Sequence, residues 1–111
     1  MVIDFEQGSL TEYEESVVLP AVIKILHKKV GVKKATTNRM IGNKLAAKGI
    51  ISTPLVIRRI IHYIRIHNLI VNLIANSGGY YVAKKWDEVE KYVRSLRGRA
   101  RSIMDVAESY N

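Results

Sequence analysis

The sequence predicts a mainly α-helical fold with one small β-hairpin, on three observations. Apolar residues recur at helical spacing in four segments. A β-branched run, Leu69–Ala75, leads through Asn76-Ser77-Gly78-Gly79 into a second short run, Tyr80–Ala83. Capping spellings of the Thr-Pro and Thr-x-x-Glu kind mark where helices begin. At 111 residues, 48% of them hydrophobic, the chain suits one domain with a core and is too short for two ordinary ones.

Residues 1–10 read as a loose acidic arm. Thr11-Glu12-Tyr13-Glu14 spells a capping box, and Val18, Leu19, Ile23, Ile25 and Leu26 carry the first helix to about Lys29. Pro20 has no amide to donate, so it either kinks this helix or marks the first turn of its second part. Gly31 suits a C-terminal cap, and Val32–Ala35 is long enough for at most one small strand. Thr36-Thr37-Asn38 offers N-caps for a second helix, in which Met40, Ile41 and Leu45 share a face and which stops at Gly49. Thr53 followed by Pro54 reads as N-cap and first position of a third helix running to about His67. Two short helices joined by a glycine-containing turn form a helix-turn-helix unit.

The hairpin 69–83 then supplies a wing, with its turn glycines free to take positive φ. Asp87 with Glu90 resembles another cap pair and opens a long helix to about Tyr110. This order is that of a winged helix-turn-helix with an extended C-terminal helix. It divides the chain into the arm 1–10, a winged helix-turn-helix domain 11–86 and a C-terminal helix 87–111.

Charge narrows the partner. The net charge is +8, but five of the ten acidic residues, Asp4, Glu6, Glu12, Glu14 and Glu15, precede residue 16, and the next is Asp87. Residues 16–86 carry thirteen Lys or Arg and no Asp or Glu. A surface built only for solubility intersperses both signs; a long span of one sign points to a polyanion, duplex DNA above all. An anionic membrane fits less well, because the cations are not confined to one amphipathic helix. With no cysteine and three scattered histidines, neither a disulfide framework nor a metal or other cofactor is expected. The start Met1–Glu6 lacks a signal-peptide pattern and no apolar run has bilayer length, so a soluble, cytoplasmic, DNA-associated protein with no membrane partner is expected.

On a wheel of about 100° per residue, Ile57, Ile60, Ile61 and Ile64 of the third helix share a narrow core face. Leu55, Arg59, His62 and Ile66 lie opposite, flanked by Arg58 and Tyr63. A second helix of this kind enters the major groove, where the arginine fork matches guanine O6 and N7. Arg59 is therefore the first candidate for base reading, followed by Arg58 and His62. Arg65, Lys33, Lys34, Thr37, Arg39, Lys44, Thr53, Lys84 and Lys85 are candidates for phosphate contact. Asn76 and Ser77 at the hairpin tip either reach phosphate or the minor groove, or simply form the turn. The plainer alternative for the arginines is solvation of an exposed helix face.

In the last helix Val89, Val93, Leu96, Ala100, Ile103, Ala107 and Tyr110 are spaced as heptads. At about 1.5 Å per residue that helix exceeds about 30 Å, longer than so small a domain covers with its own core. It serves either a homodimer, through Leu96, Ala100, Ile103, Ala107 and Tyr110, or packing against the first helix. No catalytic constellation is spelled: the carboxylates sit at the two ends of the chain, and Gly78-Gly79 is a turn signal without a P-loop lysine. The chain is not expected to be an enzyme.

The stretch Ile57-Arg58-Arg59-Ile60-Ile61-His62-Tyr63-Ile64-Arg65, with Gly79-Tyr80-Tyr81-Val82-Ala83 and Tyr92-Val93-Arg94-Ser95-Leu96-Arg97-Gly98-Arg99-Ala100-Arg101-Ser102-Ile103, resembles small winged helix proteins common in phages, prophages and mobile elements. The resemblance spans roughly residues 17–106 and leaves out the acidic arm. It implies a DNA-binding regulator or accessory factor with the third helix as reading element. The alternative is a protein–protein interaction module in a replication or packaging assembly. RNA fits less well, since the third helix has few aromatics on which bases could stack.

Overall fold

Thr11 and Glu14 close the first helix as the capping box requires, each side chain accepting the other's amide, at 3.1 and 3.0 Å. The computed structural model describes residues 9–110, so residues 1–8 of the expected acidic arm lie outside the described residues. Of the two readings of Pro20, the second holds: it marks the first turn of the helix's second part. A π-helical turn, Glu14–Val18, runs directly into α1, Leu19–His27, with the proline in its first turn. The Leu19 amide bonds back to the Glu14 carbonyl, five residues away rather than four. The turn widens where proline withdraws a donor from the helical ladder.

Gly31 does not cap α1, as the sequence reading expected. The cap is Lys28, and Gly31, at φ +94°, starts a 3-10 turn over Val32–Lys34, where a small strand had been considered. Extended pairing falls on either side of that turn: Val30 bridges Val82 and Thr36 bridges Tyr80.

Threonine caps begin the next two helices. Thr37 Oγ1 accepts the Met40 amide at 3.2 Å to open α2, Asn38–Ala47, and Thr53 Oγ1 accepts the Val56 amide at 3.2 Å to open α3, Pro54–Ile66. Ile41 and Leu45 of α2 are fully buried, whereas Met40, expected on the same face, is exposed. The expected core stripe of α3, Ile57, Ile60, Ile61 and Ile64, is buried, and with Val18, Val22, Ile25 and Leu26 forms the main core. Tyr13 steadies the α2–α3 connection, its hydroxyl accepting the Ile51 amide at 3.0 Å.

The hairpin is shorter than the apolar run suggested: β1 is Leu73–Asn76 and β2 is Gly79–Val82, antiparallel, with Asn76 opposite Gly79. Asn68 and Asn72 take positive φ, 51° and 68°, and so break up the first four residues of the run. Ile70 between them still enters the core. Gly79, at φ +120°, lies so close to Thr36 that an added Cβ would stand 2.2 Å from its carbonyl oxygen. Glycine is what lets β2 pair with Thr36, through Thr36 N–Tyr80 O and Tyr80 N–Thr36 O bonds of 2.9 and 2.8 Å.

The final helix, α4, spans Trp86–Ser109. Lys85 is its N-cap and makes no side-chain capping bond, so the expected Asp87–Glu90 cap pair does not form; Asp87 and Glu88 instead sit in the first turn, where carboxylates favour the helix dipole. Val89 and Tyr92 pack on a second small core of Ile74, Tyr81 and Ala83, yet no residue of α4 is buried. Among the described residues, no helix is long and apolar enough to cross a membrane.

Candidate nucleic-acid interface

The core stripe of α3 fixes which side chains face outward. Arg58, His62 and Arg65, spaced i, i+4, i+7, are all exposed and line one flank of the open face. Seven residues of helix put about 10 Å between the first and last Cα. Leu55 and Ile66 are exposed as well, at 62% and 55%.

Arg59 does not join them. Its Nη2 lies 3.2 Å from Glu14 Oε2, and its side chain is 30% exposed against 8% for the glutamate. The π-helical turn lies against this side of α3, and the long arginine stem bends toward its carboxylate rather than outward. Arg59 thus corrects the leading sequence expectation: a guanidinium held by a buried carboxylate is committed to the fold.

At its N-terminal end the α3 stripe opens on a groove of about 500 Å³ between α2 and α3. Arg39, Asn43, Ser52, Thr53 and Arg58 line it. Asn38 Nδ2 donates to the Pro54 carbonyl at 3.4 Å, so the two capped helix starts lie side by side. The positive dipole ends of two helices lie there beside two arginines, a setting suited to a phosphate oxygen. Thr37 and Thr53, expected at phosphate, act as the caps that orient these ends.

At its C-terminal end the stripe reaches a second groove, about 710 Å³, between the hairpin and α4, lined among others by Arg65, Asn76, Ser77, Lys91, Tyr92 and Arg99. Arg65 is held over the Tyr92 ring, 5.9 Å from its centroid, and donates to the Tyr92 hydroxyl. Asn76 Oδ1 accepts the Gly78 amide at 2.7 Å, which makes it a turn former, while Ser77 is exposed at the tip. Lys91 and Arg99 escaped the sequence reading, which considered only the apolar stripe of this helix. The signal was present in the basic run through the middle of α4.

The remaining predicted phosphate ligands are not in these grooves. Lys44 lies on the flank of α2 that faces α1, in a depression with Lys24, Lys28, Lys29 and Lys48. Lys33 and Lys34 are exposed on the 3-10 turn, Lys84 lies over Gly31, and Lys85 precedes α4. The five proposed dimer residues, Leu96, Ala100, Ile103, Ala107 and Tyr110, are all exposed along α4. Among the described residues no group of three or more His, Asp or Glu could hold a metal ion. Comparison with protein-family models, with curated proteins and with solved structures found no match to this chain.

Proposed function

We propose that the chain is a duplex-DNA-binding protein of winged helix-turn-helix type, a regulator or accessory factor that binds without catalysing a reaction. The observation that carries this reading is the exposed Arg58–His62–Arg65 stripe, which joins a groove lined by Arg39 and Arg58 to one where Arg65, Lys91 and Arg99 outnumber the single carboxylate, Glu88. In this reading α3 lies in the major groove, with Arg58 as the principal base reader and His62 beside it. Arg39 and the paired helix starts hold one phosphate run; Arg65, Lys91 and Arg99 hold another beside the hairpin, which acts as the wing. The resemblance to small winged helix proteins of phages and mobile elements rests on the sequence motifs.

Selection of bound sequences from a random duplex pool tests binding and specificity together. Enrichment of a consensus supports a base-reading α3. A pool that is not retained even at low salt favours the alternative, a protein-interaction module. That second reading draws on one observation, the unburied apolar residues of α4, with Ile103 68% and Tyr110 84% exposed. A partner helix, from a second copy or another protein, would cover such a stripe.

A further inference from the structure

Five lysines from two helices surround one depression of about 320 Å³ on the far flank of α2. Lys24, Lys28 and Lys29 come from the C-terminal part of α1 and its exit, and Lys44 and Lys48 from the end of α2. The lining is otherwise only Ile25 and Ala47. The one ion pair among the described residues is Arg59–Glu14, so none of these ammonium groups has a carboxylate partner there. Partial burial, and then the neighbouring Lys44, Lys34 and Lys28, pull the Lys29 ammonium below the ordinary lysine range.

Cations near helix C-termini are favourable, and one or two would satisfy the ends of α1 and α2. Five in one hollow exceed that need, and their mutual repulsion opposes folding unless an anion offsets it. The surroundings also favour a particular anion. No aromatic or large apolar rim is present to hold a protein surface, while compact ammonium groups on flexible stems suit phosphate oxygens.

The position of the hollow matters as much as its charge. Arg39, Gly42, Asn43 and Ala46 of α2 face the α2–α3 groove, whereas Lys44 and Lys48 face α1, so the body of α2 stands between the two surfaces. We propose that the α1–α2 hollow is a second phosphate-binding site, which takes the backbone of a second duplex segment while α3 holds the first. One molecule then bridges two stretches of DNA. This rests on the DNA-binding reading of α3.

The test uses the full chain with donor-labelled and acceptor-labelled duplexes, wild type at the lysines beside the triple variant Lys28→Gln/Lys44→Gln/Lys48→Gln, both carrying Ile103→Glu so that two copies joined through α4 cannot themselves bring two duplexes together. Wild type should bring the two labels together, and the variant should lose that transfer while holding a single duplex within about threefold of wild type, since removing charge from another flank leaves the counterion release at α3 intact. Wild type that binds one duplex without bridging overturns the proposal. So does a variant that still bridges, or one that loses single-duplex binding in parallel, which would make the basic surface one continuous site. Tripolyphosphate separates the second site from the reading of α3. Shifts of the Lys24 and Lys29 side-chain resonances in wild type, absent from the triple variant, support the phosphate site, and their absence in wild type overturns it. If tripolyphosphate binds there but no duplex is held, bridging is overturned together with the reading of α3, and the hollow is a site for a free polyanion.

Discussion

Arg59 and Glu14, forty-five residues apart in sequence, are joined through Nη2 and Oε2 at 3.2 Å. The same carboxylate caps the Thr11 amide through its other oxygen at 3.0 Å. One buried side chain therefore closes the first helix and fastens α3 to it. Arg59→Ala should lower stability by about 1.5–3 kcal/mol, the range for a hydrogen bond to a charged group, with the partly exposed arginine favouring the lower end. In a denaturant double-mutant cycle with Glu14→Gln, the two losses should be less than additive. Additive losses would mean that the contact carries no energy.

Two glycines should respond to alanine in opposite directions. At Gly79 the new Cβ meets the Thr36 carbonyl at 2.2 Å on a backbone of φ +120°. Gly79→Ala should cost about 3 kcal/mol or more and expose the Thr36 and Tyr80 amides to hydrogen exchange. At Gly98, inside α4 with nothing within 4 Å, Gly98→Ala should stabilise by up to about 1 kcal/mol. Thermal melts of the two variants check both signs.

Burial raises the Tyr81 phenol above its ordinary value of 10.0, with smaller contributions from Glu88 and Tyr92. A value higher in the folded than in the unfolded chain gives stability that is complete below about pH 10 and is lost as pH rises through the folded value. Tyr81→Phe should therefore flatten the alkaline limb of the stability profile. Lys29 acts in the opposite sense: its lowered value gives stability that is present above 10.5 and lost as pH falls through the folded value. Urea titrations from pH 8 to about 11 on wild type and Tyr81→Phe check the sign; identical limbs would exclude the phenol as a cause.

The heptad stripe of α4 predicts self-association. Sedimentation equilibrium should give a mass that rises with concentration, and Ile103→Glu should hold the chain at the monomer mass without lowering the melting temperature, because residue 103 is 68% exposed. A concentration-independent monomer would leave α4 to its contact with the hairpin.

Where local chemistry decides an element, the sequence was legible. Threonine caps at residues 11, 37 and 53 and the isoleucine stripe of α3 stand where spacing put them, because a cap and a buried face depend on neighbours three or four residues away. What escaped depends on distant partners. The Glu14–Arg59 pair joins two helices, and a wheel of α3 alone cannot display it. Gly31 looked like a helix cap, and only its bond to Val82 across the fold reveals a different turn. The strand start at Leu73 turned on two asparagines adopting positive φ within a run whose composition favoured extension. On α3 the outward placement of Arg58, His62 and Arg65 was legible and the pairing of Arg59 was not, while the division of the lysines between two flanks of α2 required the packing of α1.

The most direct test of the interface compares duplex affinity across salt for wild type, Arg58→Ala and Arg59→Ala. Wild-type affinity should fall steeply with salt, about 0.9 log unit per log unit for each phosphate neutralised. Arg58→Ala should cost about 1–3 kcal/mol of binding and relax the base preference while leaving the melting temperature intact. Arg59→Ala should do the reverse, lowering stability and leaving the base preference of the folded fraction unchanged. Duplex binding that is absent at low salt, or that is indifferent to Arg58 and lost with Arg59 in a fully folded protein, would contradict the assignment of the α3 face.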